Sequence, residues 1–184
     1  MQAASRSVEA AIQFLKFILS TRQSHSPNGF AVSKVTFMNE DALIEHARGA
    51  TRKAYAPYSH FHVGCAVESV DGTVVTGANM ENACYRLGVC AEISALTAAQ
   101  ASFGLAKIAR IAVAGGNLAS GKLSGEQAVT PCGGCRQSIL EAAQLSGIDI
   151  EILCASGDGR KVERHRISEL LPHGFGPANL KDAG

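Results

Sequence analysis

Two short pieces constrain this chain more than anything else in it: Cys90-Ala91-Glu92 and Pro131-Cys132-Gly133-Gly134-Cys135. Three thiolates are one ligand short of a closed tetrahedral zinc site, so a fourth position is left for water. Glu92 is then free to carry a proton beside that water, as a general acid–base group must be. Any fold that satisfies this pattern has to carry two separated segments to one ion. A Cys-x-x-Cys pair alone also suits a structural zinc knuckle or a redox pair. A structural site would want a fourth Cys or His at similar spacing. Cys65, Cys84 and Cys154 are available, yet none of them forms a second Cys-x-x-Cys.

At 184 residues the chain is long enough for one domain with a sizeable core. A formal net charge of +1 gives no global field to draw it to nucleic acid or to a membrane. No apolar run is long enough to span a bilayer. Six cysteines with no visible secretory leader point to a reducing, cytoplasmic setting and to metal or thiol chemistry, not to a disulfide framework.

Residues 1–37 differ in character from the remainder of the chain and read as an N-terminal extension, with the domain over 38–184. Val8 to Leu19 is apolar enough for a short amphipathic helix, and Ser20 to Gly29 reads as a linker. Serines and a basic bias give this stretch a faint likeness to an organellar transit peptide. A family-specific arm is the plainer reading, and Met38 would serve as an alternative start. Asn39 to Ala54 reads as a helix, with Asn39 as N-cap, acids in the first turn and Leu43, Ala47, Ala50 and Ala54 on one face. Val63 to Val67 alternates as a strand, Asp71-Gly72 turns, and Thr73 to Gly77 returns as a hairpin partner. A polar loop, Asn79 to Gly88, delivers the chain to Cys90, where a helix runs to Gly104. Ile108 to Ala114 is a buried strand and Asn117 to Thr130 a long loop. Cys132 opens another helix, stopped at Gly147. Ile148 to Ala155 is a second buried strand, and Arg160 to Arg166 suits a short final one. The layout is α/β, with helices covering a mixed sheet. It sets Cys90 and Cys132 at helix N-termini, where free N–H groups and the helix dipole favour thiolates.

The motifs also carry a family resemblance. Cys-Ala-Glu followed by Pro-Cys-x-x-Cys is a pattern described for zinc deaminases, so it is matched rather than deduced from spacing. Tyr58-Ser59-His60-Phe61, Asn79-Met80-Glu81-Asn82-Ala83-Cys84-Tyr85, Cys90-Ala91-Glu92, Pro131-Cys132-Gly133-Gly134-Cys135-Arg136-Gln137, Glu169-Leu170-Leu171-Pro172 and Phe175-Gly176-Pro177 together closely resemble the small homotetrameric cytidine deaminases. The likeness runs from about Asn39 to Leu180, in the right order. It implies a three-layer α/β/α fold with a mixed five-stranded sheet, and one Zn²⁺ per subunit. It also implies a homotetramer with shared active sites and a small nucleoside substrate. By that resemblance Cys90, Cys132 and Cys135 hold the zinc, and Glu92 is catalytic. Asn79 and Glu81 bind the ribose hydroxyl, and Phe61 packs on the base. Phe175 closes a neighbour's pocket, and the backbone at Ala91 and Thr130 reads the pyrimidine edge. Ala83 and Tyr85 reach into an adjacent subunit's site. Taken singly, Phe61 and Phe175 would be ordinary core residues, and Asn79 with Glu81 an ordinary polar loop. Cys65 and Cys154 read as small core residues, and His60 and His62 are given no role.

Two positions depart from the family's pattern. Three-cysteine members usually carry Arg after Cys-Ala-Glu, where this chain has Ile93. Arg86 stands where Pro is common, and a cation beside the sugar would suit an anionic group. The expected activity is hydrolysis of cytidine and deoxycytidine to uridine and deoxyuridine, within pyrimidine salvage. The alternatives are a deaminase of a modified or antibiotic cytosine nucleoside, or a zinc-stabilised binding module without chemistry. A polynucleotide-editing role is disfavoured, because no basic stripe is present to follow a phosphate backbone.

Overall fold

A computed structural model describes residues 37–176 and 179–180. The expectations placed on residues 1–36, including the amphipathic helix, the linker and the transit-like composition, lie outside them, as does Pro177. The first helix, α1 (Glu40–Ala50), begins where the sequence predicts: the Asn39 side chain accepts from the Asp41 N–H at 3.0 Å. It ends earlier than expected, passing into a single 3₁₀ turn at Thr51–Lys53. Strands β1 (Phe61–Ser69) and β2 (Val74–Ala78) form the hairpin. Helix α2 (Ala91–Ser102) is next, then β3 (Ile108–Ala119), β4 (Lys122–Ser124), α3 (Gly133–Ser146), β5 (Glu151–Ala155), β6 (Val162–Arg166) and the short α4 (Ile167–Leu170).

The sheet is mixed, in the order β2-β1-β3-β5-β6. Only β3 and β5 run parallel, joined through α3; the other pairs are antiparallel. These five strands are the sheet the sequence leads one to expect. The sixth, β4, pairs with β3 and corrects part of the long loop predicted over Asn117 to Thr130. A two-residue turn at Ser120-Gly121, with φ of 50° and 75°, folds the chain back on itself. Gly115-Gly116-Asn117 looks like a chain breaker in sequence. In the fold Gly116 is required, because a Cβ there would lie 1.9 Å from the Ser124 carbonyl oxygen.

The pleat sorts side chains to two faces. Cys65, Val67, Ile111, Val113, Ile152 and Cys154 pack under α2 and α3 against Ala95, Ala99, Ile139 and Ala142. Ala66, Ala112, Ala114, Leu153 and Ala155 face the other way and take Leu43, Ile44 and Ala47 of α1. Helices thus cover both faces, in three layers. Burial pushes the Cys65 thiol well up and the Cys154 thiol to about 12, so both behave as small apolar residues, as expected.

The sheet also buries a carboxylate. The Glu68 carboxylate is 0% exposed and accepts from Arg110 Nε at 2.8 Å and Nη2 at 2.6 Å. The pair also holds the first described residues: the Met38 N–H donates to Glu68 at 2.5 Å, Arg110 donates to the Met38 carbonyl, and its guanidinium lies 5.1 Å over the Phe37 ring. Removing one partner of such a pair would strand a buried charge, at a cost of about 3–5 kcal/mol.

Candidate metal centre and active site

Two helix starts make the site. Cys90 is the N-cap of α2 and Cys132 the N-cap of α3, both with extended backbone. Cys135, one turn into α3, is buried. Helix α2 reaches this position because β2 lets it come close. A Cβ at Gly77 would lie 2.3 Å from the Ala95 nitrogen and 2.7 Å from the Ala91 oxygen, so any larger residue there would push the helix away.

The three sulfurs lie within 4.8 Å of one another. Cys132 Sγ is 3.5 Å from Cys135 Sγ and 3.9 Å from Cys90 Sγ. Zinc–thiolate bonds of about 2.3 Å at tetrahedral angles put sulfurs about 3.8 Å apart, so the cluster has the size of three corners of a zinc tetrahedron. The electrostatics agree. First-turn N–H groups, that of Cys135 foremost, hold the Cys132 thiol below its usual range. Burial pushes the Cys90 thiol up, and neighbouring charges add to this. Burial and the Glu92 charge push Cys135 up further. A cation among the sulfurs reverses those last effects, so the donor set suits a metal ion. Arg136 adds positive charge nearby: it donates to the Pro131 carbonyl at 2.8 Å and the Leu170 carbonyl at 3.2 Å.

Glu92 is only 4% exposed, and burial holds its carboxyl above the ordinary range. It faces a cavity of about 410 Å³ whose wall also includes Cys90, Cys132, Asn79, Glu81, Ala91 and Thr130. Val63, Met80, Val89 and Val129 make the apolar part of that wall, and sequence reasoning gave none of them a role in the site. Their signal was only a short apolar residue beside each polar motif. Tyr85, expected at an adjacent subunit's site, lines this chain's own cavity, with its ring edge-on to Tyr58 at 6.2 Å. Phe61, Phe175 and Ala83 are not in the wall. The Phe61 carbonyl accepts from the Asn79 amide at 2.9 Å, and the Phe175 carbonyl accepts from Gln137 at 2.6 Å. Arg86 is exposed on the turn after Tyr85 and also stays outside the wall. Ile93 is half-buried and lines a groove between α2 and α3 instead of the cavity.

Residues 38–147 match the family model for the cytidine and deoxycytidylate deaminase zinc-binding region. The chain belongs to the cytidine deaminase family. The cytidine deaminase of Halalkalibacterium halodurans is 37% identical over 145 residues, covering 79% of this chain and all of that protein. That of Mycobacterium tuberculosis is 36% identical over 138 residues, covering 75% and 90%. The crystal structure of cytidine deaminase from Burkholderia pseudomallei superposes with a TM-score of 0.65 at 40% identity, covering 75% of this chain and all of that one. The zinc-binding region of the family contains all three clustered cysteines, so zinc is the cofactor of the site.

Proposed function

We propose that Cys90, Cys132 and Cys135 hold one zinc ion per subunit and that Glu92 is the proton carrier beside it. The reaction is the hydrolytic deamination of cytidine: water and cytidine give uridine and ammonia. The observation that carries this reading is the triangle of sulfurs with a buried carboxylate facing the same cavity. When bound, the metal supplies water acidic enough to be a nucleophile near neutral pH. Glu92 accepts the proton that this water gives up and passes it to the ring nitrogen beside the amino-bearing carbon. As the water oxygen bonds to that carbon, Glu92 takes the second proton of the same oxygen and gives it to the amino group; the C–N bond breaks, ammonia leaves and the carbonyl of uridine forms. The Ala91 and Thr130 backbone reads the polar edge of the base, and Asn79 with Glu81 takes the sugar. Deoxycytidine is accepted by the same logic. Mixing cytidine with the protein tests the reading: absorbance falls as uridine and equimolar ammonia appear, and no change in either would contradict it.

Ile93 leaves three thiolates without the cation usual at that position, so the α2 and α3 N-termini and Arg136 must offset more charge. Ile93→Arg is expected to raise turnover near neutral pH by up to about fivefold, the scale of one partly screened charge. An unchanged or slower rate counts against the charge argument.

The assembly is a homotetramer with shared sites. Supporting this is a groove of about 780 Å³ between α2 and α3, lined by Ile93, Leu96 and Leu105 among others. Exposed Tyr55, Met80, Leu87 and Phe175 add apolar surface for a neighbour to cover. Phe175 and Ala83, outside their own cavity, then serve an adjacent one, and Phe61 packs on the base at its rim. Residues 1–37 are an extension preceding the deaminase domain, consistent with a family match that begins at 38.

A further inference from the structure

Glu81 is held in place with more care than a loop carboxylate needs. Its Oε2 accepts from the Tyr58 N–H at 2.8 Å and the Ser59 N–H at 3.2 Å. Its Oε1 accepts from the Ser59 hydroxyl. That hydroxyl oxygen itself accepts from the Phe61 N–H at 3.0 Å, which leaves its proton for Glu81. The turn that makes this possible passes through His60 at φ 57°, a left-handed conformation that a non-glycine residue adopts only where its surroundings impose it. The carboxylate has about four acceptor sites, and three are taken. The remaining one is on Oε1, the oxygen Ser59 holds. Asn79 has less to offer, since its amide already accepts from the Val63 N–H and donates to the Phe61 carbonyl, both at 2.9 Å.

We propose that Ser59 is a positioning residue for nucleoside recognition: its hydroxyl fixes the Glu81 carboxylate so that the free acceptor site on Oε1 meets a sugar hydroxyl. This rests on the reading that Glu81 binds the sugar. Three donors also hold the Glu81 carboxyl below the usual carboxylate range, the Ser59 hydroxyl most of all, so the acceptor stays ionised. Without that hydroxyl, only Oε2 remains anchored and Oε1 is free to swing. Because Phe61 N–H orients the same hydroxyl, one short turn sets both the sugar acceptor and the first residue of β1.

Steady-state kinetics on the full chain test this with two substrates, cytidine and 2′,3′-dideoxycytidine. Ser59→Ala is expected to raise KM for cytidine about tenfold, the scale of one hydrogen bond to a charged group, with kcat within about twofold. KM for the dideoxy substrate, which keeps the 5′-hydroxyl but lacks the 2′ and 3′ hydroxyls that Glu81 would meet, changes less than about twofold. Ser59→Thr restores the cytidine value. An equal rise for both substrates, or a fall in kcat at unchanged KM, overturns the proposal. Glu81→Gln separates it from the reading beneath it. If the preference for cytidine over the dideoxy substrate survives Glu81→Gln, the sugar-binding role of Glu81 itself fails. If Glu81→Gln erases that preference and Ser59→Ala leaves it intact, only the positioning role falls.

Discussion

Glu92→Gln is expected to keep its fold and its zinc and to turn cytidine over at least about a thousandfold more slowly, because the proposed proton carrier is gone. The amide matches the carboxylate in size, so the packing of α2 is preserved. Glu92 is not one of the three proposed sulfur ligands, so metal content is expected to stay at that of the unaltered protein. Its burial makes the loss severe: with 4% exposure, bulk water has poor access to take over the proton transfer. Turnover and zinc content measured on one preparation check this. A binding module stabilised by zinc would lose nothing on this substitution. A loss of metal together with activity would instead make Glu92 a structural residue.

Cys135→Ala has the second large effect, and it is of a different kind. Cys135 is buried, one turn into α3, and is the only one of the three proposed ligands outside the cavity wall. Removing it leaves two sulfurs at the N-caps of two helices. Zinc affinity is expected to fall by more than about a hundredfold, since even loss of a residue that merely supports a ligand costs ten- to a hundredfold. Activity disappears with the metal. The melting temperature also drops, because an ion bound only to the folded chain stabilises it by mass action. Metal competition assays and thermal unfolding with and without added zinc read the two effects. A variant that keeps zinc at unaltered affinity would remove Cys135 from the ligand set.

The parts of the fold that were legible in sequence are those written in short-range patterns. Asn39 caps α1 because its side chain reaches an N–H two residues on, which the run Asn-Glu-Asp already suggests. The alternation around Cys65 and the apolar runs at Ile111 and Ile152 follow from strand geometry alone. The cysteine cluster was legible because Cys90-Ala91-Glu92 and Pro131-Cys132-Gly133-Gly134-Cys135 match a pattern described for zinc deaminases, and the fold does bring these three sulfurs together. What stayed hidden depends on distant pairing. Glu68 looks like the polar member of an alternating strand, and only the fold brings Arg110 to it, 42 positions away. Ser59 lies within a recognised motif, but its partner Glu81 is 22 positions on. The β3–β4 hairpin was missed because Gly116, needed for close approach to Ser124, reads locally as a break. The aromatics Phe61 and Phe175 took their roles from resemblance, and a single chain does not place either ring in its own cavity wall.

Zinc removal and return, read by the loss of cytidine absorbance, bears most directly on the proposed chemistry. Protein stripped by a chelator and freed of it should leave cytidine unchanged, and activity should return in proportion to added zinc, reaching a plateau at one ion per subunit. Full turnover by zinc-free protein, or no recovery in folded protein carrying one zinc per subunit, would contradict it.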